Sequence, residues 1–261
     1  MWLHTRCDLT FDFAVPTPLI LMLRPRSEAH QWVARETYEL SPGVHAFEFT
    51  DTYGNRCQRL TAPPGAFAIA TTADVRVADT AGTAPGSPFV DIEALPDDVL
   101  IHLLPSRFCE SDRFGRMAAE IAAGCALGYD QVAAITAWIR AGVRYEPGTS
   151  DVPITAIDVN QRRAGVCRDL SHLGIALCRG LSIPARLGVG YLHGLVPMDM
   201  HAWFEAYVGG RWHVFDATQA GPVAGYVAVG YGRDAADVAI FNQFGPPANT
   251  TTQEVAVSRI D

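Results

Sequence analysis

The stretch AGVCRDLSHLGIALCRGL, residues 164–181, decides how the rest of the chain is read. Counted from Cys167 at helical spacing, Leu170, Ser171, Gly174, Leu177, Cys178 and Leu181 share one stripe, mostly apolar or small. That period predicts an amphipathic helix with one buried face and Cys167 at its N-terminal end. Asp169 then lies in the first turn, where a carboxylate suits the positive end of the helix dipole. A sulfur at that place meets unpaired backbone N–H groups and the same dipole, and both favour its thiolate form. Gly165, two residues ahead, would allow a sharp turn and the close approach of a substrate backbone. Cys178, three turns in on the same stripe, reads as core. A lone helical cysteine is most often a small buried hydrophobe, so a nucleophile here needs a base from elsewhere in the chain.

Downstream, HAWFEAYVGGRWHVFDAT (residues 201–218) reads as a hairpin turning at Gly209 and Gly210. Val208 then faces Arg211, Tyr207 faces Trp212, and Trp203 faces Asp216. Alternation puts His201, Trp203, Glu205 and Tyr207 on one face with Trp212, Val214 and Asp216, and sends His213 to the other. His201 and Asp216 become diagonal neighbours, with Cβ atoms about 7–8 Å apart or less, close enough for a hydrogen bond. One imidazole and one carboxylate on a shared patch are what a thiol nucleophile requires. The ring takes the sulfur's proton and the carboxylate fixes the ring's tautomer. His172 lies off the Cys167 stripe and His193 near a strand end. His4, His30, His45 and His102 belong to segments without a nucleophile, so all six read as surface or satisfied-core residues. Glu205 reads as a solvated strand carboxylate.

Upstream, residues 1–80 hold about six short segments rich in β-branched and aromatic residues, broken by SPG, TYGN and PPG turns. They predict an antiparallel β-sandwich. TAGTAPGSP follows as a linker, residues 81–92 in the fullest reading. Three helical runs come next, SDRFGRMAAEIAAG closing on Gly124 and DQVAAITAWIRAG opening on Asp130. After the cysteine helix, IPARLGVGYL, HAWFEAYV, RWHVFDAT, GYVAVGYG and EVAVSRI predict a second antiparallel sheet. The fold class is α+β, with residues 93–261 forming one catalytic domain of helices packed on a sheet.

The 261 residues carry a net charge of −8, which argues against a nucleic-acid footprint. All 20 basic residues are arginine, so the chain has no lysine amine with which to crosslink itself. The cysteines, Cys7, Cys57, Cys109, Cys125, Cys167 and Cys178, form no CxxC pair and predict reduced thiols in a cytoplasmic protein. MWLHTRCDLTFDF is unlike a secretory signal, and PLILML is too short for a bilayer, so no membrane partner is expected. No GxSxG, GxxxxGK[ST] or GxGxxG motif sits in a suitable context, and no cofactor is expected.

With these residues assembled, the chain resembles the bacterial transglutaminase-like superfamily of papain-type cysteine enzymes. GVCRDLSHL, HAWFEAY and RWHVFDAT carry the resemblance, in the order Cys, His, Asp, over residues 133–218. The strand-rich start and LLPSRFCESD look like the N-terminal β region and upstream helical segment of bacterial members. Ser106, Arg107 and Cys109 in the latter are read as packing residues. The resemblance implies Cys167 as nucleophile, His201 as base and Asp216 as its orienter, acting on a protein or peptide amide through a thioester. Water is the expected acyl acceptor, because nothing resembles a calcium loop or an amine site. The backbone N–H of Cys167 would hold the oxyanion. Gln161 has the spacing of the papain-type oxyanion glutamine and otherwise reads as a solvated loop residue. Tyr145 would line the cleft or pack.

Two other readings stand beside this one. A noncatalytic binding module would keep the fold for protein contact, although it gains nothing from an intact Cys/His/Asp set. A zinc site could use the same three ligand types, but no HExxH or CxxC spacing supports a metal. The sandwich is open to three roles: covering the cleft, binding a partner, or building a homo-oligomer.

Overall fold

Every second residue of the first strand, Leu3, Thr5, Cys7, Leu9, Phe11 and Phe13, is buried. That period of two is what lets a sheet be apolar on one side only. In the computed structural model, which describes residues 1–28, 30–149, 152–246 and 250–260, the pattern builds two four-stranded antiparallel sheets. Their strands from the N-terminal part are β1 (Trp2–Phe13), β2 (Thr17–Leu21), β3 (Gln31–Ser41), β4 (Phe47–Thr50), β5 (Arg56–Ala62) and β6 (Gly65–Val77).

The helical part contains α1 (Asp97–Leu100), α2 (Gly115–Ile121), α3 (Tyr129–Gly142) and α4 (Ala156–Arg162), with a two-stranded parallel pair, β7 (Arg144–Tyr145) and β8 (Ala164–Gly165). Then come α5 (Cys167–Gly180), β9 (Ala185–Leu192), β10 (His201–Val208), β11 (Arg211–Phe215) and β12 (Tyr226–Gly232). The third four-stranded sheet has the order β11-β10-β9-β12, antiparallel throughout. Helix α5 lies on it at Gly174, where an added Cβ would stand 2.6 Å from Phe204. Only a glycine lets the helix come that close.

The chain then returns to the sandwich. β13 (Phe241–Gln243) pairs with β2, and β14 (Thr250–Ile260) pairs with β1 along almost its whole length. The sheet orders are β14-β1-β6-β3 and β13-β2-β5-β4, and Phe11 meets Phe241 edge-on at 5.2 Å between them. EVAVSRI is therefore not part of the second sheet, as its position after the helices suggested. Alternation specifies a half-buried strand but not whose edge it joins, and β1 offered a long unpaired one.

Two helix boundaries also differ. The run expected to open on Ser111 divides into a 3₁₀ turn, Ser111–Arg113, and α2. The break falls where Gly115 packs against Gly180, with 3.1 Å from an added Cβ on Gly180 to the Gly115 nitrogen. Asp130 does not cap α3. Gln131 reaches back to the Gly128 N–H at 3.1 Å, while Asp130 accepts from the Gly86 N–H at 3.1 Å. The Gly/Pro stretch before α1 is thereby bonded to the helices. Ser87 O accepts from Tyr129 N at 2.9 Å and Pro88 O from Gly209 N at 2.8 Å.

Candidate active site

Helix α5 begins with a carboxylate rather than a hydroxyl. Asp169, fully buried, accepts the Val166 N–H at 3.2 Å and the Arg168 Nε–H at 3.2 Å. It thus satisfies one of the first-turn donors that no helical carbonyl reaches. Ser171 Oγ donates to Cys167 O at 2.8 Å, so the turn is tied on both sides of the cysteine. Gly165 is needed for this packing, because its added Cβ would stand 2.9 Å from the Asp169 Cβ. The glycine makes room for the capping carboxylate.

All six cysteines are free, and only Cys125 and Cys167 are not buried. Burial pushes the Cys7 thiol up to about 12 and that of Cys57 to about 11. Cys109 and Cys178, fully buried, lie higher still for the same reason, and Cys178 is the core residue its position predicted.

His201 and Asp216 meet as the hairpin phase required. The β10–β11 register runs from Val208↔Arg211 to Phe204↔Phe215, which leaves Trp203 and Asp216 as the next step. His201 Nε2 bonds Asp216 Oδ2 at 2.7 Å with both side chains buried. An ionised carboxylate only accepts, so Nε2 carries a hydrogen toward Asp216 and the ring gains or loses its second proton at Nδ1. Nδ1 is buried and, among the described residues, makes no hydrogen bond of full geometry. Burial alone would lower the ring's pKa. Hydrogen bonding to Asp216 and to Cys167, with the charge on both, outweighs burial and raises it to about 10. Since Nε2 is engaged, Cys167 acts on the ring through Nδ1.

Asp216 is held at every lone pair. Thr218 donates to Oδ1 from its backbone at 2.9 Å and from Oγ1 at 2.7 Å, and the Tyr226 hydroxyl donates to Oδ2 at 2.9 Å. Arg140 donates to the Asp216 carbonyl at 3.1 Å. Burial works to raise the Asp216 pKa, but the bond and charge of His201 and the two Thr218 bonds keep it below the ordinary value. Trp203 packs near-parallel to His201 at 6.4 Å.

Glu205 is not solvated. It is buried and paired with Arg186, whose NH2 lies 2.7 Å from Oε2, while its Oε1 accepts from Trp203 Nε1 at 3.3 Å. The guanidinium is in turn stacked 3.8 Å from the Tyr231 ring centroid. Two-residue alternation gives the face of Glu205 but not what covers that face.

The remaining candidates separate cleanly. His172 is a satisfied core residue, bonded through Nδ1 to Ile154 O at 3.1 Å and through Nε2 to Ala235 N at 3.2 Å. Burial lowers its pKa to about 4. His213 turns to the other face, near Gly82 O at 3.3 Å. Tyr145 belongs to the site. Burial first, then the charges of Cys167, Asp216 and Asp199, push its phenol well above the usual value. An open cleft runs beside it, between residues 140–145 and Ala217–Thr218. Gln161 is exposed in the last turn of α4 rather than in a loop. Ser106 and Cys109 pack as expected, Ser106 Oγ accepting from the buried Arg179 at 3.0 Å. Thr218 and Tyr226 escaped sequence reading. DAT is a recognisable Asx-type turn, whereas nothing local marks Tyr226.

Comparison with known proteins bears on the family and the fold. Residues 115–217 match the transglutaminase-like superfamily, and residues 9–78 match the bacterial transglutaminase-like N-terminal region. A candidate cysteine protease from Cytophaga hutchinsonii, of known crystal structure, is 37% identical. The similarity covers 100% of this chain and 91% of that one, with a TM-score of 0.92. Uncharacterized protein ML0607 of Mycobacterium leprae is 27% identical over 242 residues, covering 83% of this chain and 82% of its own. With a relative of that identity superposing over the full length, and with both halves matched, the chain belongs to the transglutaminase-like superfamily.

Proposed function

We propose that the protein is a cysteine-dependent amide hydrolase or acyl transferase acting on protein or peptide substrates. Cys167 is the nucleophile, His201 the base and Asp216 its orienter. The observation that carries this reading is the 2.7 Å bond from His201 Nε2 to Asp216, which leaves Nδ1 as the ring atom for the Cys167 thiol, whose influence raises the ring's pKa. Nδ1 holds the proton that the thiol gives up, as the raised affinity of the ring favours, while sulfur bonds to the amide carbon, and the oxyanion is held by the Cys167 N–H at the helix start. The C–N bond then breaks, the amine leaves with the proton from the imidazolium, and a thioester remains. Water gives its proton to Nδ1 and attacks the thioester, releasing the acid and restoring the thiol. An amine in place of water gives a new amide.

Iodoacetamide near neutral pH is the first test, with Cys125, the other cysteine that is not buried, as internal control. Cys167 is expected to label at least about tenfold faster, the advantage being lost in His201→Ala. Peptide libraries with wild type and Cys167→Ala, read by mass spectrometry, then separate cleavage, deamidation and amine incorporation. Equal labelling of both thiols, or products that persist in Cys167→Ala, overturns the reading.

A further inference from the structure

We infer that Tyr226 is a positioning residue of this site, setting both the direction and the strength of the Asp216–His201 bond; the inference rests on the function proposed above. Two hydrogens converge on one oxygen. Asp216 Oδ2 receives Nε2–H of His201 at 2.7 Å and the Tyr226 hydroxyl at 2.9 Å. With Oδ1 filled by the two Thr218 donors, the carboxylate cannot rotate without breaking a bond on each side. The tyrosine also holds the ring system from above. Its ring lies 28° from the imidazole plane at 6.4 Å and tilts against Trp203 at 5.0 Å, so Trp203 and Tyr226 pack together on one side of the imidazole.

The phenol is a permanent donor. Burial, the Asp216 charge and the bond to Asp216 all hold it protonated far above the working range, with Arg140 only a small counterweight. A neutral donor on the oxygen that His201 uses draws charge from that oxygen. It therefore weakens the carboxylate's hold on the imidazolium while fixing where the bond points. The bond becomes directional without becoming so strong that the ring cannot release its proton to a leaving amine.

Tyr226 stands at the start of β12, the edge strand of its sheet, and that edge is completed by side chains of the sandwich. The Gln31 amide donates to Ala228 O at 2.8 Å and accepts from Ala228 N at 2.7 Å. The Asn55 amide does the same with Tyr231 O and N, at 2.7 and 2.8 Å. Each imitates one residue of a missing neighbouring strand.

Tyr226→Phe removes the donor and keeps the ring. The titration of the His201 ring, followed by NMR in the full chain, is expected to move upward in pH. Iodoacetamide labelling of Cys167 at neutral pH is expected to fall about tenfold, as misdirected reacting groups do. Should that variant fold poorly, a fluorinated tyrosine placed at 226, a stronger donor, is expected to move the ring titration downward instead. A His201 titration unmoved in Tyr226→Phe, or moved in the same direction by the fluorinated residue, overturns the inference. The ring titration is read without any turnover, so it stands apart from the proposed function, which fails if wild-type Cys167 is not selectively labelled.

Discussion

At the scale of single residues, the His201–Asp216 pair makes stability depend on pH in a window that the two shifts define. The folded pKa of His201 is raised, to about 10, so its contribution is complete below the unfolded value, about 6.5, and fades as pH climbs toward 10. The folded pKa of Asp216 is lowered, so its contribution is complete above the unfolded value, about 4, and is lost as pH falls through the folded one. Thermal unfolding of wild type and Asp216→Asn should therefore differ most between about pH 4 and 6.5. A deficit of about 2 kcal/mol is expected there, shrinking on either side; a gap that widens above pH 8 would contradict the assignment. Gly188 tests the wall behind the ring. An added Cβ there would lie 2.6 Å from Trp203 Cε2 and Nε1, and Trp203 is 1% exposed with nowhere to move. Gly188→Ala is expected to cost about 1–3 kcal/mol by overpacking and to displace the indole that flanks His201. Chemical denaturation and Cys167 labelling would register the two effects separately.

At the scale of elements, the site is assembled from termini. Cys167 opens α5, His201 opens β10, and Asp216 follows the last residue of β11. Side chains at element ends are rigidly based yet reachable, because the next residues leave the packed layer. The edge strand β12 has no such freedom, and its two amide clamps predict what happens without them. Asn55→Leu removes the side-chain partners of the buried Tyr231 N–H and C=O, and Gln31→Leu those of Ala228, whose C=O keeps only a 3.5 Å bond from Arg26 N. Each is expected to destabilise the protein by about 2 kcal/mol or more, seen as a lower unfolding midpoint. Both should also slow Cys167 labelling, although neither residue touches the site. Full retention of midpoint and rate in both variants would show that β12 holds its register unaided.

At the scale of the whole molecule, the sandwich and the β9–β12 sheet share one hydrophobic core, running from Leu3 and Phe11 through Leu177, Phe204 and Val229. Polar bonds cross the same boundary: Tyr191 donates to Leu23 O at 3.3 Å, Tyr231 to Glu28 at 2.8 Å and Tyr53 to Asp237 at 2.8 Å. Two layers joined in this way should melt together. Pulse alkylation across a denaturant series can read Cys7 in the sandwich and Cys178 in α5, both fully buried in the fold. Their midpoints are expected to coincide, and an earlier midpoint for Cys7 would mean that the sandwich is a separable unit.

Periods written in the chain were enough to place Cys167 at a helix start, to phase the hairpin so that His201 meets Asp216, and to bury Cys178. Each of these depends on residues within a few turns or one hairpin of one another, where repeat geometry fixes direction. The partners of Glu205, the return of Thr250–Ile260 to β1, and the Tyr226 bond to Asp216 were decided only in three dimensions. A strand's alternation states which side of it is apolar. Which distant edge or charge comes to cover that side depends on how the layers close, and no local repeat records that.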